Sequence, residues 1–159
     1  MLFSGANQIN LVVPDQVAAV NGLNIRVEVA GNSTNAIAAQ VVNAENGIFT
    51  VSERGSGQAL VINEDGTLNS PTNPATRGSV VTFFTTGMGH PMRHYEVYTA
   101  SSTGSEVPSV DEITPGVIRF RARIPMDANT GSTMPFVVVI DRNYTKAWFS
   151  QQITTMAIK

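Results

Sequence analysis

The sequence contains no cysteine, so disulfide staples, thiolate nucleophiles and cysteine-based zinc sites are excluded. Charge is scarce: 14% of the 159 residues are Asp, Glu, Lys or Arg, against roughly 25% in an average globular domain. The formal net charge of −2 supplies no field for nucleic acid or for an anionic membrane surface. Aromatic residues make up only 7%, with a single tryptophan, which leaves few platforms for stacking on a sugar. No apolar run approaches the ~18 residues of a membrane-spanning helix. The opening "MLFSGANQIN" lacks the basic and apolar regions of a signal peptide. If the protein is exported, this chain is expected to be a mature form or a fragment. Nowhere do a nucleophile, a histidine and an orienting carboxylate fall into a catalytic pattern. The sequence offers no catalytic, cofactor-binding or metal-binding set, and it predicts a protein that is not an enzyme.

What is abundant is small and polar: 12 Ser, 16 Thr and 13 Asn. Thr suits a pleated surface, and Asn and Ser suit tight connections, so the composition favours strands and turns. The alternation agrees. In "LNIRVEVA", Leu23, Ile25, Val27 and Val29 face one way, and Asn24, Arg26 and Glu28 the other. In "VIRFRARI", Ile118, Phe120, Ala122 and Ile124 oppose Arg119, Arg121 and Arg123. Further strands are predicted over 7–13, 36–43, 47–52, 58–63, 79–86, 95–99, 135–141 and 147–157, the last broken. Only "DQVAAVNG" suggests a helical turn. Many short strands at close spacing predict an all-β sandwich or barrel.

The chain repeats itself at an offset of 111 residues, from Pro14 to Pro125. Residues 4–40 align without a gap onto 115–151. Identical pairs are Gly5/Gly116, Pro14/Pro125, Val27/Val138, Asn32/Asn143, Thr34/Thr145, Ala36/Ala147 and Gln40/Gln151. Each copy reads as a Pro-terminated strand followed by a hairpin turning at Gly31–Asn32 or Arg142–Asn143. The expected organisation is a partial three-strand unit over 1–47 and a complete sandwich over 48–159. Three strands are too few to bury a core alone. Between the copies, "NEDGT" predicts a turn at Asp65–Gly66. Pro71 and Pro74 bar "NSPTNPA" from a central strand, so it is expected as an ordered surface loop.

The segment "GIFT" followed by "GSGQALVINEDGTLNSPTNPATRGSVVTFFTTGMG" resembles the uncharacterised C-terminal domain family known from Solibacter and other Acidobacteria. Members of that family read PGIFT, then GQGAVLNQDGTLNSPANPAARGSVV, then an aromatic-rich strand ending TGLG. The flanking "QINLVVP" and "VIRFRARIP" are similar to the family's QINVQVP and YQVNVQVP. The resemblance is specific over 47–89 and weakens over 90–116, where the usual Gly-Gly hairpin is missing. It implies immunoglobulin-like (E-set) β-sandwiches in tandem on exported bacterial proteins, at the cell surface or outside the cell. No enzymatic activity comes with it.

Candidate surfaces follow from the repeat. Val137 and Val139 stand where the first copy has Arg26 and Glu28, and Trp148 and Phe149 where it has Ile37 and Ala38. Val137, Val139 and one of Trp148 or Phe149 are therefore expected at an interface, with another copy of the protein or with the first unit. Arg119, Arg121 and Arg123 form the one concentrated charge feature, either a solvated face or a site for an anionic partner. His90 and His94 in "HPMRH" read as an exposed loop, because Pro91 disrupts a helical pair of ligands. Asn63 and Asp65 could offer oxygens to calcium, but the distal acids of a calcium loop are missing. Lys146 is the one credible lysine for an isopeptide cross-link. Asn32 and Asn143 open glycosylation-type triplets on equivalent turns. The function expected is a non-catalytic structural or adhesive module that assembles with itself or with neighbouring domains. The alternative is a carbohydrate-binding accessory module using Tyr95, Tyr98, Tyr144 and Trp148.

Overall fold

Alternating side chains build strands almost everywhere in this protein, but they build two units of very different kinds. The computed structural model describes residues 3–17, 22–42, 44–89, 92, 94–140, 148–151 and 153–159, with only the backbone described for Asp15, Trp148 and Phe149. The described residues contain no α-helix, only a 3-10 turn at Asp15–Val17, where a single helical turn was expected. The chain divides into two compact units, Met1–Asn43 and Ala44–Lys159, whereas the repeat put the division after Gly47.

The first unit holds short strands β1 (Phe3–Ser4), β2 (Ile9–Asn10), β3 (Leu23–Ile25), β4 (Glu28–Val29), β5 (Asn32–Ser33) and β6 (Ile37–Ala39). β1 pairs with β2, β3 with β6 and β4 with β5, all antiparallel. The last two pairings are successive parts of one hairpin. Its tip is Ala30–Gly31, with φ of 50° and 80°, between the paired residues Val29 and Asn32. Two positive φ values match the twist that two-residue hairpin loops require. The turn therefore lies one residue earlier than Gly31–Asn32.

The second unit contains β7 (Gly47–Ile48), β8 (Gly57–Gln58), β9 (Val61–Ile62), β10 (Val80–Thr86), β11 (Tyr95–Thr99), β12 (Ser109–Thr114), β13 (Val117–Arg123), β14 (Gly131–Ile140), β15 (Trp148–Phe149) and β16 (Thr154–Ile158). One sheet runs β12-β13-β10-β7 with β9 also on β10; the other runs β11-β14-β16-β8 with β15 also on β14. The core joins them as a β-sandwich. Phe83 of β10 stacks on its cross-strand neighbour Phe120 of β13, ring centres 5.2 Å apart. Phe83 also meets Phe136 of β14 edge-on at 4.7 Å, and Phe120 meets Tyr95 of β11 edge-on at 4.9 Å. Burial follows the alternation in "VIRFRARI": Ile118, Phe120, Ala122 and Ile124 are buried and the three arginines exposed.

β12 is not among the strands read from the sequence. Its apolar residues keep no period of two, and the register shifts between Glu112 and Thr114. The loop after β9 is ordered, but not wholly at the surface. Asn69 is completely buried, donating to Asn63 Oδ1 at 3.0 Å and to the Ala157 carbonyl at 2.8 Å. Its own Oδ1 accepts from Ala157 N and from Gln58 Nε2. Asn63 and Asn73 extend the network to Thr67 and Leu68. The asparagines of "NEDGTLNSPTNPA" thus tie an irregular segment to β16, giving buried backbone groups the partners that a regular ladder would give them.

Candidate interaction surface

The two repeat copies adopt one local device. In the first unit Thr34 N donates to the Val27 carbonyl at 2.9 Å, and Val27 N donates to Thr34 Oγ1 at 3.1 Å. In the second unit Ser150 N donates to the Val138 carbonyl at 2.7 Å, and Val138 N donates to Ser150 Oγ at 3.0 Å. Val27 and Val138 are repeat partners; the hydroxyl residue has moved from the Thr34 position to Ser150. A hydroxyl able to donate and accept closes the hairpin in both copies.

The surroundings of the two devices differ. Phe120, Ala122, Ile124, Phe136, Val138 and Ile140 have no solvent exposure. Their first-copy partners Ile9, Leu11, Val13, Ile25 and Val29 are 38%, 56%, 60%, 46% and 67% exposed, and Val27 is half-buried. No described residue of 1–43 is buried. Fully covering one such aliphatic side chain stabilises by about 1.5–3 kcal/mol, so this face forgoes on the order of 10 kcal/mol. Exposed aliphatic rows of this kind in soluble proteins mark interaction sites.

The surfaces singled out by the sequence fall as follows. Val139 is buried although it lies on the face of β14 opposite the core residues Val138 and Ile140, and Val137 is half-buried. Across the strands they face Glu96 and Tyr98 of β11, joined by a hydrogen bond of 2.8 Å from the tyrosine hydroxyl to the carboxylate. The side chains of Trp148 and Phe149 lie outside the described residues; their backbones pair β15 with β14. Arg119 makes a two-point contact with Asp111, at 3.1 and 2.7 Å. Arg123 reaches Glu106 at 2.9 Å and the Gly78 carbonyl at 2.8 Å. Arg121 stands exposed between Thr82 and Ser109 on the neighbouring strands. Two of the three charges are therefore answered by carboxylates, Asp111 on the neighbouring strand β12 and Glu106 in the irregular chain before it. Asp111 was not foreseen because its strand was not; Glu106 lies in irregular chain with no pattern to betray it.

The remaining candidates are local. Asp65 accepts from Thr67 N at 3.0 Å and Thr67 Oγ1 at 2.6 Å, bonds that hold its carboxyl below the usual carboxylate range. Those bonds make a turn, with Gly66 at φ 84°, not a cradle for a cation. Tyr95 is half-buried, its ring edge-on to Phe120. His94 is exposed, and Asn32 sits at the hairpin tip. His90, Asn143, Tyr144 and Lys146 lie outside the described residues. Among the described residues no cluster of His, Asp or Glu could hold a metal ion, and no helix is long and apolar enough to cross a membrane. Comparison with family models, curated proteins and solved structures gives no match for this chain.

Proposed function

We propose that this protein is a non-catalytic structural or adhesive β-module of the extracellular or cell-surface kind, acting through protein contact made by residues 1–43. The observation that carries the reading is the burial contrast. Residues apolar in both repeat copies are core in one and solvent-exposed in the other. An immunoglobulin-like arrangement and an exported bacterial context follow from the family resemblance and form part of the same proposal. The Ser-, Thr- and Asn-rich, cysteine-free composition supports it. Location is the sharpest test: intact cells of the source organism are treated with a membrane-impermeant amine reagent. Labelling of the protein before lysis is the expected result, and labelling only after lysis overturns the reading. A glycan array that captured the protein would transfer the assignment to a carbohydrate-binding module.

A further inference from the structure

The exposed hairpin has one open edge, and its own hydrogen bonds define it. Both backbone groups of Val27 point into the hairpin, toward Thr34. Backbone groups alternate along a strand, so those of Arg26 and Glu28 point outward. Among the described residues nothing pairs with that edge of 23–29. In the second unit the equivalent edge is filled. Val138 turns its backbone groups to Ser150, and β11 lies along the opposite side with Val97 facing Val138.

We propose that a second copy of this chain fills the edge, strand 23–29 pairing antiparallel with itself about a two-fold axis beside Val27. The proposal rests on residues 1–43 being the contact surface, and it names the partner. Registers in which outward groups meet outward groups place the axis on a residue, not between residues. An axis at Arg26 sets arginine against arginine. An axis at Ile25 leaves Arg26 opposite Asn24. The axis at Val27 sets Arg26 opposite the partner's Glu28, twice, on one face. On the other face it sets Ile25 opposite the partner's Val29, twice, with Val27 against its own copy where the second unit has Val138 against Val97. Opposite charges and matched aliphatics directly across a ladder are the stabilising cross-strand pairs. Asp15 is the one other charged residue in 1–43, so nothing on the strand opposes the register. The same patch serves both copies, as a closed two-fold contact requires.

The test uses the whole chain. It has no native cysteine, so Val27→Cys introduces one thiol. Facing residues of a non-hydrogen-bonded antiparallel pair have Cα atoms about 4.5 Å apart, within disulfide reach. Mild oxidation should cross-link Val27→Cys into a dimer and leave Ala38→Cys uncross-linked. In sedimentation equilibrium the unmodified protein should dimerise. Arg26→Glu should weaken dimerisation by about tenfold or more, and adding Glu28→Arg should restore it. A dimer indifferent to both charge changes overturns the register, and a protein monomeric at all concentrations overturns the self-pairing. In that monomer, slow exchange of the 23–29 amides would mean another occupant and leave the structural-module reading standing. Fast exchange would leave the edge open and overturn self-pairing alone; the labelling experiment then decides the structural-module reading.

Discussion

Strand 23–29 and strand β14 share one sequence pattern and carry the same hydroxyl device, yet one lies in solvent and the other in a core. The difference lies not in the strands but in what is packed on them. β14 has β11, β15 and β16 beside it and Phe83 over Phe136. The first unit offers its apolar row to nothing in the described residues of 1–43. Local sequence is sufficient to bend a hairpin; burial needs a second layer.

Removing side chains at matched positions should separate the two regions most sharply. Phe120→Ala opens a cavity between stacked and edge-on rings and should cost ~3–5 kcal/mol in urea denaturation of the second unit. Its repeat partner change, Ile9→Ala, should move that transition by no more than ~0.5 kcal/mol. Equal effects would show that the first unit belongs to the same core. The asparagine network, which has no counterpart among the described residues of 1–43, comes next. Asn69→Ala leaves the Ala157 amide without a partner inside the protein, while the Ala157 carbonyl keeps its bond from Ala75 N, and should cost about 2 kcal/mol. Faster exchange of the Ala157 amide would locate the loss. Smaller still is replacing Arg119, Arg121 and Arg123 together by Thr, which should cost less than ~2 kcal/mol because exposed ion pairs contribute little. A larger loss would make the ladder structural, and loss of binding to an acidic polymer at unchanged stability would make it a site.

The smallest effect is acid dependence at Asp65. The Thr67 bonds lower its folded value below the unfolded one, so its contribution is complete above the ordinary carboxylate range. That contribution fades as pH falls through the lowered value. Asp65→Asn should flatten this acid limb of the stability curve slightly and leave neutral stability nearly unchanged.

Much of the fold was legible because period-two alternation maps directly onto faces: Arg119, Arg121 and Arg123 fell outside and Phe120 and Ala122 inside. Strand β12 was not, since adjacent Asp111 and Glu112 and a register shift erase the alternation, and pairing with β13 alone makes it a strand. Asn69 was invisible for another reason. A turn-forming asparagine and a buried clip have the same letter, and only Ala157, far along the chain, distinguishes them. The expected patch at Val137 and Val139 followed from the substitutions between the repeats, whereas Ile9, Leu11, Ile25 and Val29 are apolar in both copies and stand out in neither. Their alternation looked like an ordinary core face, and only the count of strands, too few over 1–47 to bury a core, told that a covering layer was missing.

The link between Asn69 and Ala157 also sets an order of events. The two residues are 88 positions apart, and Ala75 and Arg77 take their remaining backbone bonds from the same terminal stretch, 157–159. Contacts closing so long a loop pay their entropy before they return any stability, and folds dominated by them form slowly. The segment 63–78 therefore cannot lock while β16 is still free. During synthesis or refolding it should become resistant to a protease no earlier than β16 docks. A cut there, timed against the arrival of β16, would read out the closing step of folding.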